Sequence, residues 1–315
     1  MDVGAISVVI PTYKRPHLLL KAVRSAFAQP ASVVEVIVID DASDDSDFSL
    51  TRNALAEVSD SRLRLIRNDR VKGGCGARNS GILAAKGDLI AFLDDDDILF
   101  PNALATQATK FSNTNVGMVY GAAELVDEIM GQRKILNLRL ASLEFNDIIK
   151  GHCPSTSSVV MARKSALLSA GLFDERLPSF QDFDLWLRLS KTHYIERNET
   201  VVAQFVQHRG IRTSVELRRR LKGLDMICDK WGHEIGQNYD LDTFRRDFTS
   251  RVYSHHGRLL LTSGWTKRAE AIAYLTKAVA VAPSLRHRKL AALFLGIAGL
   301  RATQTVMRLR ASYLR

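Results

Sequence analysis

The sequence predicts an α/β fold, a mostly parallel sheet covered by helices on both faces. Short, near-continuous apolar runs at residues 6–10, 34–39, 63–67 and 89–93 alternate with stretches of helical character. Strands buried on both faces lose the apolar–polar alternation of a half-exposed sheet, so these runs fit a covered parallel sheet. Each run also ends at turn or polar residues: Pro11, Thr12 and Tyr13 after the first, Asp40 and Asp41 after the second, Arg67 and Asn68 at the third. The fourth delivers Asp94, Asp95, Asp96 and Asp97 in succession. Ligands on such sheets bind beyond the carboxyl ends of the strands, so four strands supply polar groups to one rim.

The helices expected between these strands cover residues 17–28, 47–58, 76–85 and 101–111. From 117 to 206 the pattern is more mixed, with strand-like runs at 118–120, 158–162 and 201–206 and a helix at about 181–191. After about 211 it is helical throughout, with amphipathic segments at 217–231, 244–261 and 267–281.

The chain has 315 residues, 46% of them hydrophobic and 25% charged, as in ordinary soluble globular proteins of one large or two smaller domains. No stretch approaches the roughly 20 apolar residues of a membrane span, and no signal-like core follows the start, so a cytoplasmic location is expected. Cys75, Cys153 and Cys228 lie far apart and in no metal-ligand spacing, which predicts reduced thiols. Residues 1–204 hold 23 Lys and Arg against 26 Asp and Glu, whereas residues 205–315 hold 21 against 8. This basic excess points to an anionic partner, such as a membrane surface. Within 284–315, seven basic residues flank an 11-residue apolar stretch at 290–300, a composition suited to an interfacial helix.

Four adjacent carboxylates repel one another, and a hard divalent cation with a ligand's oxygens offsets that charge. Gly73, Gly74 and Gly76 follow the third strand rather than the first and complete neither a dinucleotide nor a P-loop fingerprint. They read as a flexible loop that lets Arg78 and Asn79 approach a ligand. In the helix at 181–191, Leu185, Trp186 and Leu189 lie three, four and seven residues beyond Asp182, which predicts an apolar face with Asp182 at its inner end. Asp184 is expected to point away, towards solvent or a neighbouring loop.

Five ordered segments carry a family resemblance: 7–13 (SVVIPTY), 38–43 (VIDDAS), 76–81 (GARNSG), 92–97 (FLDDDD) and 181–188 (QDFDLWLR). With them, residues 1–214 resemble a family 2 inverting glycosyltransferase of the GT-A fold, with a donor half at about 1–115 and an acceptor half at about 116–214. Residues 215–315 form a basic helical region. The resemblance implies that Pro11, Thr12, Tyr13, Asp40 and Arg67 hold the nucleotide of a nucleotide-diphosphate sugar, Asp40 by accepting from a base N–H. It implies that Arg78 faces the diphosphate or donor sugar, that Asp95 approaches the ribose, and that Asp94 and Asp96 hold Mg2+ or Mn2+, with His208 as a further metal or diphosphate ligand. Asp182 falls at the catalytic base. Two positions depart from the pattern: Gln181 stands where relatives often have Glu, and no Pro follows His208.

The expected chemistry is sugar transfer to a hydroxyl of a carbohydrate or lipid-linked acceptor, in cell-surface polysaccharide or glycolipid synthesis, with peripheral attachment to the inner membrane face and no nucleic acid; a soluble acceptor is also compatible with the sequence. Two alternatives stay open on the sequence. A sugar-phosphate nucleotidyltransferase needs a Gly-rich basic loop after the first strand, where this chain has Pro11-Thr12-Tyr13-Lys14-Arg15. A non-catalytic nucleotide- or polyanion-binding module would not need Asp182.

Overall fold

A computed structural model describes residues 4–29, 32–127, 131–136, 140–207, 217–262 and 265–282. They form two compact units: Met1–Arg176 with Gln181–Arg209, and Leu177–Phe180 with Gly210–Arg315.

The four apolar runs become β1 (Ile6–Thr12), β2 (Val33–Asp40), β3 (Leu63–Arg67) and β4 (Leu89–Phe92). β1 pairs in parallel with β2 and β4, and β2 in parallel with β3. The connecting helices are α1 (Pro16–Phe27), α2 (Asp45–Leu55) and α3 (Gly74–Ala84). Pro16 suits the first turn of α1, where its missing N–H costs nothing. The Asp44 side chain caps α2 by accepting from the Asp47 N–H. At Gly81, a Cβ would meet Val9 Cγ1 at 2.5 Å and Ile39 Cδ1 at 2.8 Å, so this glycine sets the close approach of α3 to the sheet that carries Arg78 to the rim.

Beyond β4 the sheet turns mixed. Its remaining elements are β5 (Ile98–Leu99), α4 (Ala103–Ala108), β6 (Val116–Asp127), β7 (Gln132–Leu136), α5 (Phe145–Ile149), β8 (Val160–Arg163), α6 (Lys164–Ser169), α7 (Gln181–Ser190) and β9 (Tyr194–Gln207). The strand order is β3-β2-β1-β4-β8-β6-β9-β5, with β7 on β6. β8 runs antiparallel to both β4 and β6, while β9 runs parallel to β6 and antiparallel to β5. The parallel expectation therefore holds for the first four strands and stops at β4. The helix expected at 101–111 is shorter, Ala103–Ala108 followed by a 3-10 turn over Thr109–Ser112.

In the second unit, α8 (Leu217–Asn238), α9 (Leu241–Thr262) and α10 (Arg268–Val281) follow one another. Their apolar faces bury Leu224, Ile227, Trp231, Phe244, Val252, Ala271 and Leu275, as amphipathic helices do. Gly257 lets α9 and α10 come together, because a Cβ there would lie 2.8 Å from Leu275 Cγ and 3.0 Å from the Ala271 carbonyl oxygen. Among the described residues, no helix is long and apolar enough to cross a membrane. The interfacial segment expected at 284–315 and the ligand expected at His208 lie outside the described residues. No disulfide joins Cys75, Cys153 or Cys228.

Candidate active site

The acidic run after β4 is not a uniform patch, because its side chains alternate between interior and surface. Asp95 and Asp97 are each 1% exposed, whereas Asp94 and Asp96 reach the surface. Asp95 accepts from Thr12 Oγ1 at 2.7 Å and pairs with Arg15 at 2.8 Å. Burial pushes its carboxyl up to about 7, against the opposing pull of Arg15 and Thr12. Asp97 accepts from Ser158 Oγ at 2.6 Å and from the Val206 N–H at 3.2 Å. Burial, with the nearby charge of Asp94, raises its pKa too.

Ser158 also accepts from the Asp94 N–H at 3.0 Å, so one hydroxyl ties both ends of the run. Asp95, expected at the ribose, turns inward onto Thr12 and Arg15, and the surface-reaching carboxylates are Asp94 and Asp96. Arg78 holds Asp94 at 2.5 Å and Arg15 holds Asp96 at 3.2 Å. Guanidinium cations therefore already sit against the two carboxylates expected to hold a metal. Among the described residues no three His, Cys, Asp or Glu side chains form a metal cluster. Two hard carboxylates completed by phosphate oxygens and water are nevertheless the donor set that Mg2+ commonly takes, so the residues present fit the expected ion.

At the neighbouring strand ends, Asp40 is fully buried, with Oδ1 accepting from the Ser43 N–H at 2.9 Å and Oδ2 lacking a hydrogen-bond partner. An unmatched buried acceptor is costly, which marks it as a place for a donor supplied from outside. Asp41 faces away, accepting from Asn68 Nδ2 at 2.8 Å and the Gly73 N–H at 2.9 Å. Tyr13 is 38% exposed, and Lys72 Nζ lies 4.1 Å from its ring centroid while donating to its hydroxyl at 3.0 Å. Arg67 ends β3, stacks on Phe48 at 4.3 Å and pairs with Asp45 at 2.7 Å. Pro11, Thr12, Tyr13 and Asp40 stand together at the ends of the paired strands β1 and β2, and Arg67 sits opposite Asp40 in register.

The glycines at the start of α3 do not form a flexible loop. A Cβ on Gly76 would lie 1.9 Å from the Val71 carbonyl oxygen, and Gly73 adopts φ +134°, so the turn is closely packed and needs these residues. Asn79 does not approach a ligand either. It is buried, donating from Nδ2 to the Phe173 carbonyl at 2.9 Å and to Glu175 at 2.8 Å, and accepting from the Phe173 N–H at 3.0 Å. Phe173, pinned in this way, packs edge-on against Phe92 and Trp186 and lies 5.9 Å below the Arg78 guanidinium. Burial opposes the Arg78 charge, but Asp94, with Cys75 and Asp182 as further contributors, raises its pKa overall.

On α7 the two acids exchange the places expected of them. Asp182 is exposed, its Oδ1 accepting from the Phe183 N–H at 2.8 Å, whereas Asp184 is fully buried and paired with Arg188 at 2.7 Å. The cause is that α7 is enclosed on several sides, with Phe183, Leu185, Trp186, Leu187 and Leu189 all buried, so a single inward stripe does not describe it. Asp184 is tolerated inside because Arg188, one turn on, neutralises it. Asp182 stays at the accessible end, within electrostatic reach of Arg78.

The sequence profile of glycosyl transferase family 2 matches residues 7–173, a span that holds the ends of β1 to β3, the acidic run, Arg78 and Ser158 but not α7. The chain is a family 2 glycosyltransferase. This glycosyltransferase is 31% identical over 195 residues to the UDP-Glc:alpha-D-GlcNAc-diphosphoundecaprenol beta-1,3-glucosyltransferase WfgD of Escherichia coli, across 62% of this chain and 73% of that protein. An uncharacterised glycosyltransferase of Rickettsia felis is 28% identical over 242 residues, 73% of this chain but 38% of its own length. Among solved structures, S. aureus TarS 1-349 in complex with UDP-GlcNAc superposes with a TM-score of 0.55 at 17% identity, over 93% of this chain and 87% of that one. The glycosyltransferase thus has the GT-A type of fold, and with catalysis a property of its family, neither a nucleotidyltransferase nor a non-catalytic module describes it.

Three residues of the site escaped the sequence reading. Arg15 and Lys72 are single cations among many, with no spacing signal. Ser158 sits in an expected strand but acts through the preceding 3-10 turn, Ser157–Val159.

Proposed function

We propose that the enzyme transfers a hexose from a UDP-sugar to a hydroxyl of a lipid-linked saccharide, with inversion at the anomeric carbon and with Mg2+ or Mn2+ bound at Asp94 and Asp96. The observation that carries the donor is the buried, unpartnered Asp40 Oδ2, which suits the N–H of a uracil ring stacked by Tyr13. The name of WfgD supports a UDP-sugar donor and a diphospholipid acceptor, and the TarS complex supports a uridine nucleotide.

In this reading Asp182 accepts the acceptor's hydroxyl proton, and that oxygen attacks the anomeric carbon from the face opposite the diphosphate. The bond to the diphosphate breaks as the new glycosidic bond forms, inverting the centre. Arg78 moves from Asp94 to the departing diphosphate and stabilises its charge. Asp94 and Asp96 would hold the divalent ion, which would supply Lewis-acid neutralisation of the same group. Thr12, Arg15 and Ser158 keep the acidic run in place, and the basic residues of 205–315 attach the enzyme to an anionic membrane face.

A thermal-shift titration with UDP, CDP and GDP, each with and without Mn2+, tests the donor and the ion, since a bound ligand raises apparent stability by mass action. UDP should stabilise most, and more with Mn2+. Equal shifts for the three nucleotides would overturn the uridine assignment, and shifts indifferent to Mn2+ would overturn the ion.

A further inference from the structure

The residues immediately before Asp182 belong to the helical unit. Segment Leu177–Phe180 groups with α8 and α9, and the chain then passes without a break into Gln181 and Asp182 of the first unit. Phe180 packs at 6.1 Å on Phe248 of α9, and Arg220 of α8 lies 5.8 Å from its ring. Phe248 is itself held at 4.3 Å by the wholly buried Phe244. On the other side of the segment, Gly223 of α8 faces Ser179 so closely that a Cβ would lie 2.9 Å from its carbonyl oxygen and 3.1 Å from its nitrogen.

Phe180 pays for this placement in backbone geometry. Its φ is +62°, a left-handed conformation that an aromatic residue adopts only where its surroundings impose it. Such strain just ahead of a helix fixes where the helix starts and where its first side chains point.

From this we infer that Phe180 and Gly223 are positioning residues for Asp182, acting through the backbone of the clamped segment 177–180 that leads directly into it. The inference rests on Asp182 being the base. Misplacing a reacting group by about 1 Å can cost about 10²-fold in rate, and a methyl group forced between Gly223 and Ser179 acts on that scale.

The experiment compares wild type with Gly223→Ala, Phe180→Ala, Phe180→Tyr and Asp182→Asn, and adds the first two to Asp182→Asn. Three quantities are read: UDP affinity by calorimetry, turnover of UDP-glucose with a synthetic GlcNAc-diphosphate lipid, and amide hydrogen exchange across residues 181–186. Gly223→Ala and Phe180→Ala should lower kcat by about 10- to 100-fold with UDP affinity within twofold of wild type, and should speed exchange at 181–186. Phe180→Tyr should restore both. In the Asp182→Asn background neither change should lower kcat further, because groups acting through one another are non-additive.

Unchanged exchange at 181–186 in folded variants, full additivity with Asp182→Asn, or a parallel fall in UDP affinity would overturn the inference. Gly223→Ala failing to fold leaves Phe180→Ala and its Tyr counterpart to decide. If Asp182→Asn turns over like wild type, the base assignment itself falls. That outcome differs from an inactive Asp182→Asn accompanied by silent Gly223 and Phe180 variants.

Discussion

Ser158→Ala should be among the most damaging single-atom deletions in the catalytic unit. The hydroxyl is 1% exposed, accepts from the Asp94 N–H at 3.0 Å and donates to Asp97 Oδ2 at 2.6 Å. Its removal leaves a backbone donor and a carboxyl oxygen short of a partner, each costing about 1–3 kcal/mol when buried. Thr156 Oγ1, 3.5 Å from Asp97 Oδ2, can swing in and recover part of the second loss, and the Val206 N–H stays on Oδ1. The expected net loss is about 2–4 kcal/mol, read as a lower urea midpoint with an unchanged slope. Because the same hydroxyl fixes the Asp94 backbone, Mn2+-dependent stabilisation by UDP should shrink as well. A loss below about 0.5 kcal/mol, the range of ordinary surface changes, would refute the stapling role.

Asp96→Asn should abolish the extra thermal shift that Mn2+ gives to UDP, since a neutral amide is a poor ligand for a hard cation; an undiminished shift would remove Asp96 from the ion site. Glu35 gives a pH prediction away from catalysis. Burial works to raise its pKa, but the Lys86 N–H, Ser7 and Arg64 together hold it below the ordinary glutamate value. With the folded pKa depressed, this stabilisation is complete above the ordinary glutamate value and is lost as pH falls through the folded one. Glu35→Gln should therefore cost about 1.5–3 kcal/mol near neutral pH, in urea unfolding, with the difference from wild type narrowing in acid. Full-length protein should float with anionic liposomes at low salt and lose this on removal of residues 284–315; equal flotation after truncation would move the attachment to another basic segment.

The first four strands were legible because they are buried on both faces, so their apolar runs are nearly continuous and end at polar residues. β9 was visible only in its second half, 201–206, since its start carries Glu196, Asn198 and Glu199 and has no apolar period. β5, two residues long, leaves no periodic signal at all. Within the site, residue types pointed to the acidic run, but only tertiary contacts separate its members: Thr12 and Arg15 claim Asp95, while Ser158 and Val206 claim Asp97. The placing of Asp184 failed for a related reason, because a helical wheel reports angles around an axis and not how many sides of that axis are covered.

The Asp97 contacts have a consequence for the order in which the chain emerges during synthesis. Most groups assigned to the donor lie before residue 100, yet Ser158 and Val206, which hold Asp97, come about 60 and 110 residues later along the chain. A nascent chain that has completed β1 to β4 already carries the acidic run but has neither clasp for it. The acidic run is therefore seated only once β9 reaches the sheet, and a fragment ending after α4 would display the signature motifs without the seated loop.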